Sequence, residues 1–370
     1  MKVSITATLV AACMFTSLYA NAAELSPTEL ERRINDLEQQ LESQEHDGYG
    51  SAQENSWAQQ ISIGGTLELE ASFHHPYIGD ASTDLVLATA ELGIAADIND
   101  WVNGEIIFLY EEDDTPLEVD VATLYLSPPD APWYLIAGQF YLPFGVYDTQ
   151  MISGTLTSDV GETRETAFLA GIAQNNYYAS VFLFNGSNKK EGKEHLNNWG
   201  VQLGLNMETA DITFNSELSY INDIGDSDNL QDVLSSQNVN DYTDGWNWFG
   251  KAESGAWTLI GEYTATLSGF ESNVLTFNFD GAKPSAWNLE LGYHFYLNQF
   301  ETTASFGYQG TQESLPLELP EQRLLAALSV NVLDNTAISL EWARDQDYEI
   351  AEGGTGESAD TVTLQLAAEF

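Results

Sequence analysis

From Trp57 to Phe370 the chain alternates apolar and polar residues with a period of two. Leu67, Leu69, Ala71 and Phe73 share one face of a segment whose other face is Thr66, Glu68, Glu70 and Ser72. The runs at Trp199–Met207, Trp287–Phe295 and Val362–Phe370 repeat the pattern. Each is about ten residues long, the length of a tilted strand that crosses a bilayer. Sixteen such segments are predicted, beginning near residues 59, 82, 100, 117, 132, 166, 176, 197, 210, 245, 255, 284, 299, 321, 335 and 358. Short connections such as Asn99-Asp100, Asn175-Asn176 and Asn298-Gln299 follow the even strands. Longer polar ones, such as 144–165 and 223–244, follow the odd strands. Strict short–long alternation, with both ends on the short side, is the topology of an outer-membrane barrel.

A soluble β-sandwich shares the period of two, so alternation alone does not exclude it. The even strand number and the final strand ending on Phe370, a barrel-assembly signal, favour the barrel. So do aromatics near strand ends, such as Trp101, Trp133, Tyr177, Trp199, Trp246 and Trp287, which suit interfacial girdles. Alternation puts Glu68, Glu70, Glu91, Glu105, Glu217, Glu262, Glu290 and Glu341 on the polar face. A sandwich interior does not take that many unpaired charges, each costing several kcal/mol, whereas a watery lumen does. These acids are expected to be solvated by the lumen and to set a cation-favouring field.

Upstream, residues 1–22 read as a signal peptide: Lys2, an apolar stretch from Val3 to Tyr19, and the small-x-small cleavage pattern Ala20-Asn21-Ala22. A membrane anchor and a lipoprotein signal at Cys13 are the alternatives. Residues 23–45 read as a helix capped by Ser26, with Pro27 at its first position and Glu29 closing a capping box. Leu30, Ile34, Leu37 and Leu41 form a coiled-coil seam. It is too short to be stable alone, which points to a trimer already held together by something larger, with a single helix docked on the body as the alternative. Residues 46–56 are a linker, and 57–370 the barrel. The expected fold is all-β: a 16-stranded antiparallel transmembrane β-barrel of porin type behind a short N-terminal coiled-coil helix.

The formal net charge is −46, from 57 acids and 11 basic residues, which makes nucleic acid a poor partner. With 43% hydrophobic and 12% aromatic residues, the chain is not a disordered acidic tail. No nucleophile elbow or HExxH motif appears, and no enzyme activity, cofactor or metal site is expected. His74-His75 point to opposite faces of a strand end, which disfavours joint ligation. The loop acids Glu111 to Asp114, and Asp223, Asp226, Asp228 and Asp232, lack calcium-loop spacing. They are expected to be solvated or bridged by cations to lipopolysaccharide.

The third long loop is the most distinctive segment. Gly138-Gln139-Phe140-Tyr141-Leu142-Pro143-Phe144-Gly145 leads into it, and Gly161-Glu162-Thr163-Arg164-Glu165 leads out. Alternation points Gln139 and Tyr141 into the lumen, and Pro143 ends the strand. Arg164 either sets a transverse field against the wall glutamates and grips a carboxylate, or pairs locally with Glu162 or Glu165. The ligand or constriction candidates are Gln139, Tyr141, Phe144, Gly145, Glu162, Arg164 and Glu165.

The run GQFYLPFGVYDTQMISGTLTSDVGETRE resembles the corresponding stretch of the siderophore porins typified by the legiobactin receptor. The order of signal, coiled coil, linker, barrel and terminal Phe370 is similar too. The resemblance implies a 16-stranded barrel in the outer membrane of a Gram-negative bacterium that takes up a ferric siderophore without an energy-coupled plug. Ala368 departs from the aromatic often found near the end of such chains. The expected surroundings are outer-membrane lipid, lipopolysaccharide and the barrel-assembly machinery, with the N-terminus periplasmic. A glutamate-lined lumen repels anionic chelates. Either Arg164 with Lys189, Lys190 and Lys193 supplies a basic path, or the solute is neutral or cationic. A general cation-selective porin, and an adhesin or structural tether, stand as alternatives.

Overall fold

The computed structural model describes residues 61–192 and 195–370. The expected signal peptide, coiled-coil helix and linker lie outside the described residues, as does Lys193. Sixteen antiparallel strands close into one barrel. They are β1 Ile61–His75, β2 Ser82–Asn99, β3 Val102–Tyr110, β4 Glu118–Leu126, β5 Trp133–Tyr141, β6 Arg164–Gln174, β7 Tyr177–Phe184 and β8 Asn198–Glu208. Then follow β9 Thr213–Ile221, β10 Gly245–Ser254, β11 Trp257–Thr266, β12 Ser285–Leu297, β13 Phe300–Gln312, β14 Gln322–Leu333, β15 Thr336–Gln346 and β16 Ser358–Glu369. The largest displacement from the expected starts is at β9, predicted near 210 and beginning at Thr213.

The barrel closes where β1 meets β16. Leu67 pairs with Ala368, Leu69 with Leu366, Ala71 with Leu364 and Phe73 with Val362, so apolar residues face apolar residues across the seam. Gly65 and Phe370 exchange two backbone hydrogen bonds, both 3.0 Å long. No barrel strand is left with an open edge.

The exterior stays apolar. Leu69, Leu203, Leu259, Leu289, Leu340 and Leu364 are between 46% and 57% exposed, the reverse of a sandwich, which buries such residues. At the loop end an aromatic row runs round the wall: Trp199 with Tyr220 at 5.3 Å, Trp246 with Tyr263 at 5.3 Å, and Trp287 with Tyr308 at 4.7 Å between ring centroids. At the turn end Trp257 meets Tyr293 at 4.6 Å, and Tyr293 stacks on Phe295 at 5.9 Å. Tight turns form where asparagine accepts a left-handed backbone: Asn175, Asn298 and Asn335 have φ of 53°, 59° and 54°.

One boundary differs from expectation. Pairing of Tyr141 with Arg164 and of Phe140 with Glu165 continues β5 and β6 upward, and Leu142 N–H donates to the Thr163 carbonyl at 2.8 Å. The third loop therefore runs from 142 to 163, and Arg164 and Glu165 belong to the wall.

A charge tests which face meets lipid. Leu364→Arg, outward at the middle of β16, is expected to cost about 2–4 kcal/mol of folding stability in lipid. Gln365→Arg, inward and opposite Glu70, is expected to cost far less. Urea titration of folding into vesicles reads both; equal costs would contradict the orientation.

Candidate functional site

Loop 3 folds into the barrel and runs along the inner wall from β9 to β15. Gly145 N–H donates to Ser219 Oγ of β9 at 3.1 Å. The N–H groups of Val146 and Tyr147 then converge on the Glu262 carboxylate of β11, at 2.9 and 3.1 Å. Thr149 Oγ1 and Gln150 N–H hold Glu290 of β12, at 2.7 and 2.9 Å. Ile152 and Ser153 N–H hold Glu341 of β15, at 2.6 and 3.1 Å, with the Ser153 hydroxyl donating as well. Each glutamate is an acceptor with two oxygens, and each takes at least two loop donors that are shielded from bulk water. The loop turns back through Leu156 N–H on Gln309 Oε1 (2.9 Å) and Thr157 Oγ1 on Glu262 (3.0 Å). Gly292 of β12 makes room for it: a Cβ there would lie 1.9 Å from Gln150 Oε1.

The returning limb is a single buried helical turn, α1 (Leu156–Gly161), capped by the Thr155 side chain accepting from Ser158 N–H. Leu156, Val160 and Phe144 pack against Phe140 and Leu142 of β5, Phe182 and Phe184 of β7 and Ile221 of β9. Loop 5, between β9 and β10, and loop 6, between β11 and β12, add Ile224, Leu230, Phe270 and Val274 to the same core. Full burial of one such side chain is worth roughly 1.5–3 kcal/mol. Loop 3 is thus fixed on two sides, by carboxylates on the wall and by a hydrophobic core toward β5–β9.

Loop 5 closes over α1. Its short helix α2 (Asp228–Val233) starts where Asp228 N–H donates to the Glu162 carbonyl at 2.9 Å. Ser227 Oγ donates to the Val160 carbonyl at 3.0 Å, and Arg164 N–H to Asp228 Oδ1 at 3.2 Å. Burial pushes the Asp228 carboxyl up to about 6, against the lowering effect of Arg164. Burial likewise pushes Asp159 up to about 6, against the nearby Arg323 charge. Asp223 and Asp226, expected at the solvated surface, are buried. Asp223 accepts from Gly225 N–H and the Asn188 amide, both at 3.1 Å, and Asp226 from Asn188 N–H at 2.9 Å. Burial and their mutual repulsion hold the carboxyl of Asp223 above its ordinary range.

The sequence-predicted residues separate. Phe144 and Gly145 do enter the lumen with loop 3. Phe140 and Leu142 are buried in the core that loop 3 joins, and Tyr141 packs against that core. Gly138 has φ of 145° and a Cβ there would lie 2.0 Å from the Ala122 carbonyl oxygen, so the strand bends here. Beyond it Gln139 Nε2 donates to the carbonyls of Val119 (2.8 Å) and Asp120 (3.0 Å), and Tyr141 OH to Asp120 Oδ1 (2.9 Å). Arg164 Nη1 lies 2.6 Å from both Glu118 and Asp120, so its charge is taken up by the β4 wall. Glu162 ends α1, and Glu165 pairs with Phe140 in the wall.

The eight lumen acids also divide. Glu262, Glu290 and Glu341 are at most 2% exposed and are not solvated as expected; they are the latches of loop 3. Glu68 accepts from Thr89 Oγ1 at 2.7 Å, Glu70 from Gln365 Nε2 at 3.0 Å and Glu217 from Tyr178 OH at 2.7 Å. Glu91 and Glu105 lie on the same inner face of β2 and β3. The inward cations are already paired: Arg164 as above, Lys251 with Asp148 of loop 3 at 2.8 Å, and Arg323 with Asp345 through two bonds of 2.7 and 3.1 Å. The remaining lumen wall is therefore acidic.

A closed barrel of 16 antiparallel strands with an apolar exterior and an inward third loop is a porin fold. In 84% of its length the chain superposes on 97% of the outer membrane channel DcaP of Acinetobacter baumannii, with a TM-score of 0.57 and 13% identity. It is 25% identical over 303 residues to a UPF0422 protein of Coxiella burnetii, covering 78% of this chain and 64% of that protein. It is 27% identical over 360 residues to a UPF0422 protein of Legionella pneumophila, covering 84% and 66%. The chain thus spans just under two thirds of the length of the curated relatives it matches. No protein-family profile matches it.

The latches can be weakened one at a time. Glu341→Gln keeps the shape but removes the charge that receives Ile152 and Ser153, and is expected to cost about 1–3 kcal/mol of loop docking. Hydrogen exchange of residues 146–153 should quicken, most of all in the triple variant with Glu262→Gln and Glu290→Gln. Unchanged exchange in the triple variant would remove the latches from the account.

Proposed function

We propose that the chain is an outer-membrane diffusion channel that passes neutral and cationic solutes past its latched third loop, with a ferric siderophore of neutral or cationic charge as its substrate. The observation that carries the channel reading is the acidic lumen beside loop 3, in which the inward cations Arg164, Lys251 and Arg323 are each in an ion pair. Such a field concentrates cations and excludes free anions. The siderophore rests on the likeness of residues 138–165 to siderophore porins. Because Arg164 is bound to Glu118 and Asp120, a basic path for an anionic chelate has no support from this residue. The apolar belt and the coiled-coil seam support a trimer embedded in lipid and lipopolysaccharide, with the N-terminus in the periplasm and Phe370 as the signal to the assembly machinery.

The acidic wall equally favours a general cation-selective porin. Single-channel recording in a planar bilayer under a salt gradient separates the readings. The expected result is discrete openings with a cation-shifted reversal potential, blocked by a cationic ferric siderophore and less by its iron-free form. Cation selectivity without blockade leaves the general porin. An anion-shifted reversal potential, or silence from folded and inserted protein, would overturn the channel reading and favour an adhesin or tether.

A further inference from the structure

The β1–β3 wall carries a file of carboxylates that neither loop 3 nor any described cation engages. Glu68 of β1, Glu91 of β2 and Glu105 of β3 are on the inner face, and none of them forms an ion pair with a described residue. Glu91 is the decisive member. It is 4% exposed, and its Oε1 is buried and accepts no hydrogen bond. Glu68, Glu105 and Asp120 all act on it with the same sign of charge. A buried carboxylate oxygen without a partner, among like charges, costs several kcal/mol unless it takes up a proton or a cation comes to it.

The spacing says which kind of cation. Glu91 pairs with Leu109 and Glu105 with Ala95, so the two acids sit four residues apart along β2, roughly 13 Å at the strand rise. Glu68 bonds to Thr89, two residues from Glu91 and roughly 7 Å away along the strand. A metal ion needs oxygens that converge. Among the described residues no three His, Cys, Asp or Glu side chains do so. Carboxylates strung along a wall match a ligand whose positive charges are themselves spaced along a chain.

We propose that Glu68, Glu91 and Glu105 form a binding track for a linear aliphatic polyamine, with one ammonium group on Glu91. The inference rests on reading the lumen as a cation path, but its test does not need current. Spermidine is titrated calorimetrically into the full chain folded in detergent, alongside Glu91→Gln, Glu105→Gln and the outer-loop variant Glu349→Gln. The expected result is one saturable site per chain. It weakens roughly tenfold in Glu91→Gln, the scale of one charge-assisted hydrogen bond, and less in Glu105→Gln. Glu349→Gln leaves it unchanged, and magnesium at equal charge concentration displaces spermidine poorly. Equal binding in wild type and Glu91→Gln, both verified as folded by heat-modifiable gel mobility, would overturn the track. So would displacement by magnesium as effective as by spermidine, which would mean charge screening alone. A silent bilayer with intact spermidine binding would refute the channel and leave the track standing.

Discussion

A peptide segment inside a barrel must satisfy its backbone N–H groups, and here three wall glutamates do so. Glu262, Glu290 and Glu341 stand on β11, β12 and β15 and together receive the backbone N–H groups of Val146, Tyr147, Gln150, Ile152 and Ser153. An unpaired buried N–H costs as much as a lost hydrogen bond, so the loop's path is set by where the carboxylates are. The rest follows from that path. The loop's return places Leu156 and Val160 against Phe182 and Phe184, loops 5 and 6 then cover α1, and one side of the lumen becomes a packed core.

The lumen is consequently asymmetric in chemistry. On the β11–β15 side Glu262, Glu290 and Glu341 accept hydrogen bonds from loop 3, and Lys251 and Arg323 are ion-paired with Asp148 and Asp345. On the β1–β3 side Glu68, Glu91 and Glu105 stay without an ionic partner among the described residues. One residue type in one pattern thus does two jobs, and which job depends on whether the loop passes over it. The proposed cation path runs along that acidic remainder.

The barrel was legible because alternation and turn chemistry are local. An apolar residue that faces lipid on β16 must pair with one on β1, so register follows from pattern, and Asn175, Asn298 and Asn335 mark turns directly. The loop's attachment was not legible. Val146 and Glu262 are 116 residues apart, Gln150 and Glu290 are 140, and Ile152 and Glu341 are 189, and no local pattern links them. Alternation also assumes a watery interior and an even strand, and the bend at Gly138 and the core around Phe140 depart from both. Arg164 stands out in the sequence as an isolated charge, but its partners Glu118 and Asp120 lie on β4, beyond the reach of sequence spacing.

The central claim is that loop 3 is held on the β11–β15 wall while the channel conducts. The most direct test replaces Ser153 and Glu341 by cysteines in the barrel, where residues 61–370 hold no other cysteine, and records single channels before and after oxidation. The account predicts ready disulfide formation with conductance unchanged, because the bond fixes the loop where it already lies. Failure to cross-link, or a conductance that shifts when the bond forms, would mean that the conducting loop lies elsewhere.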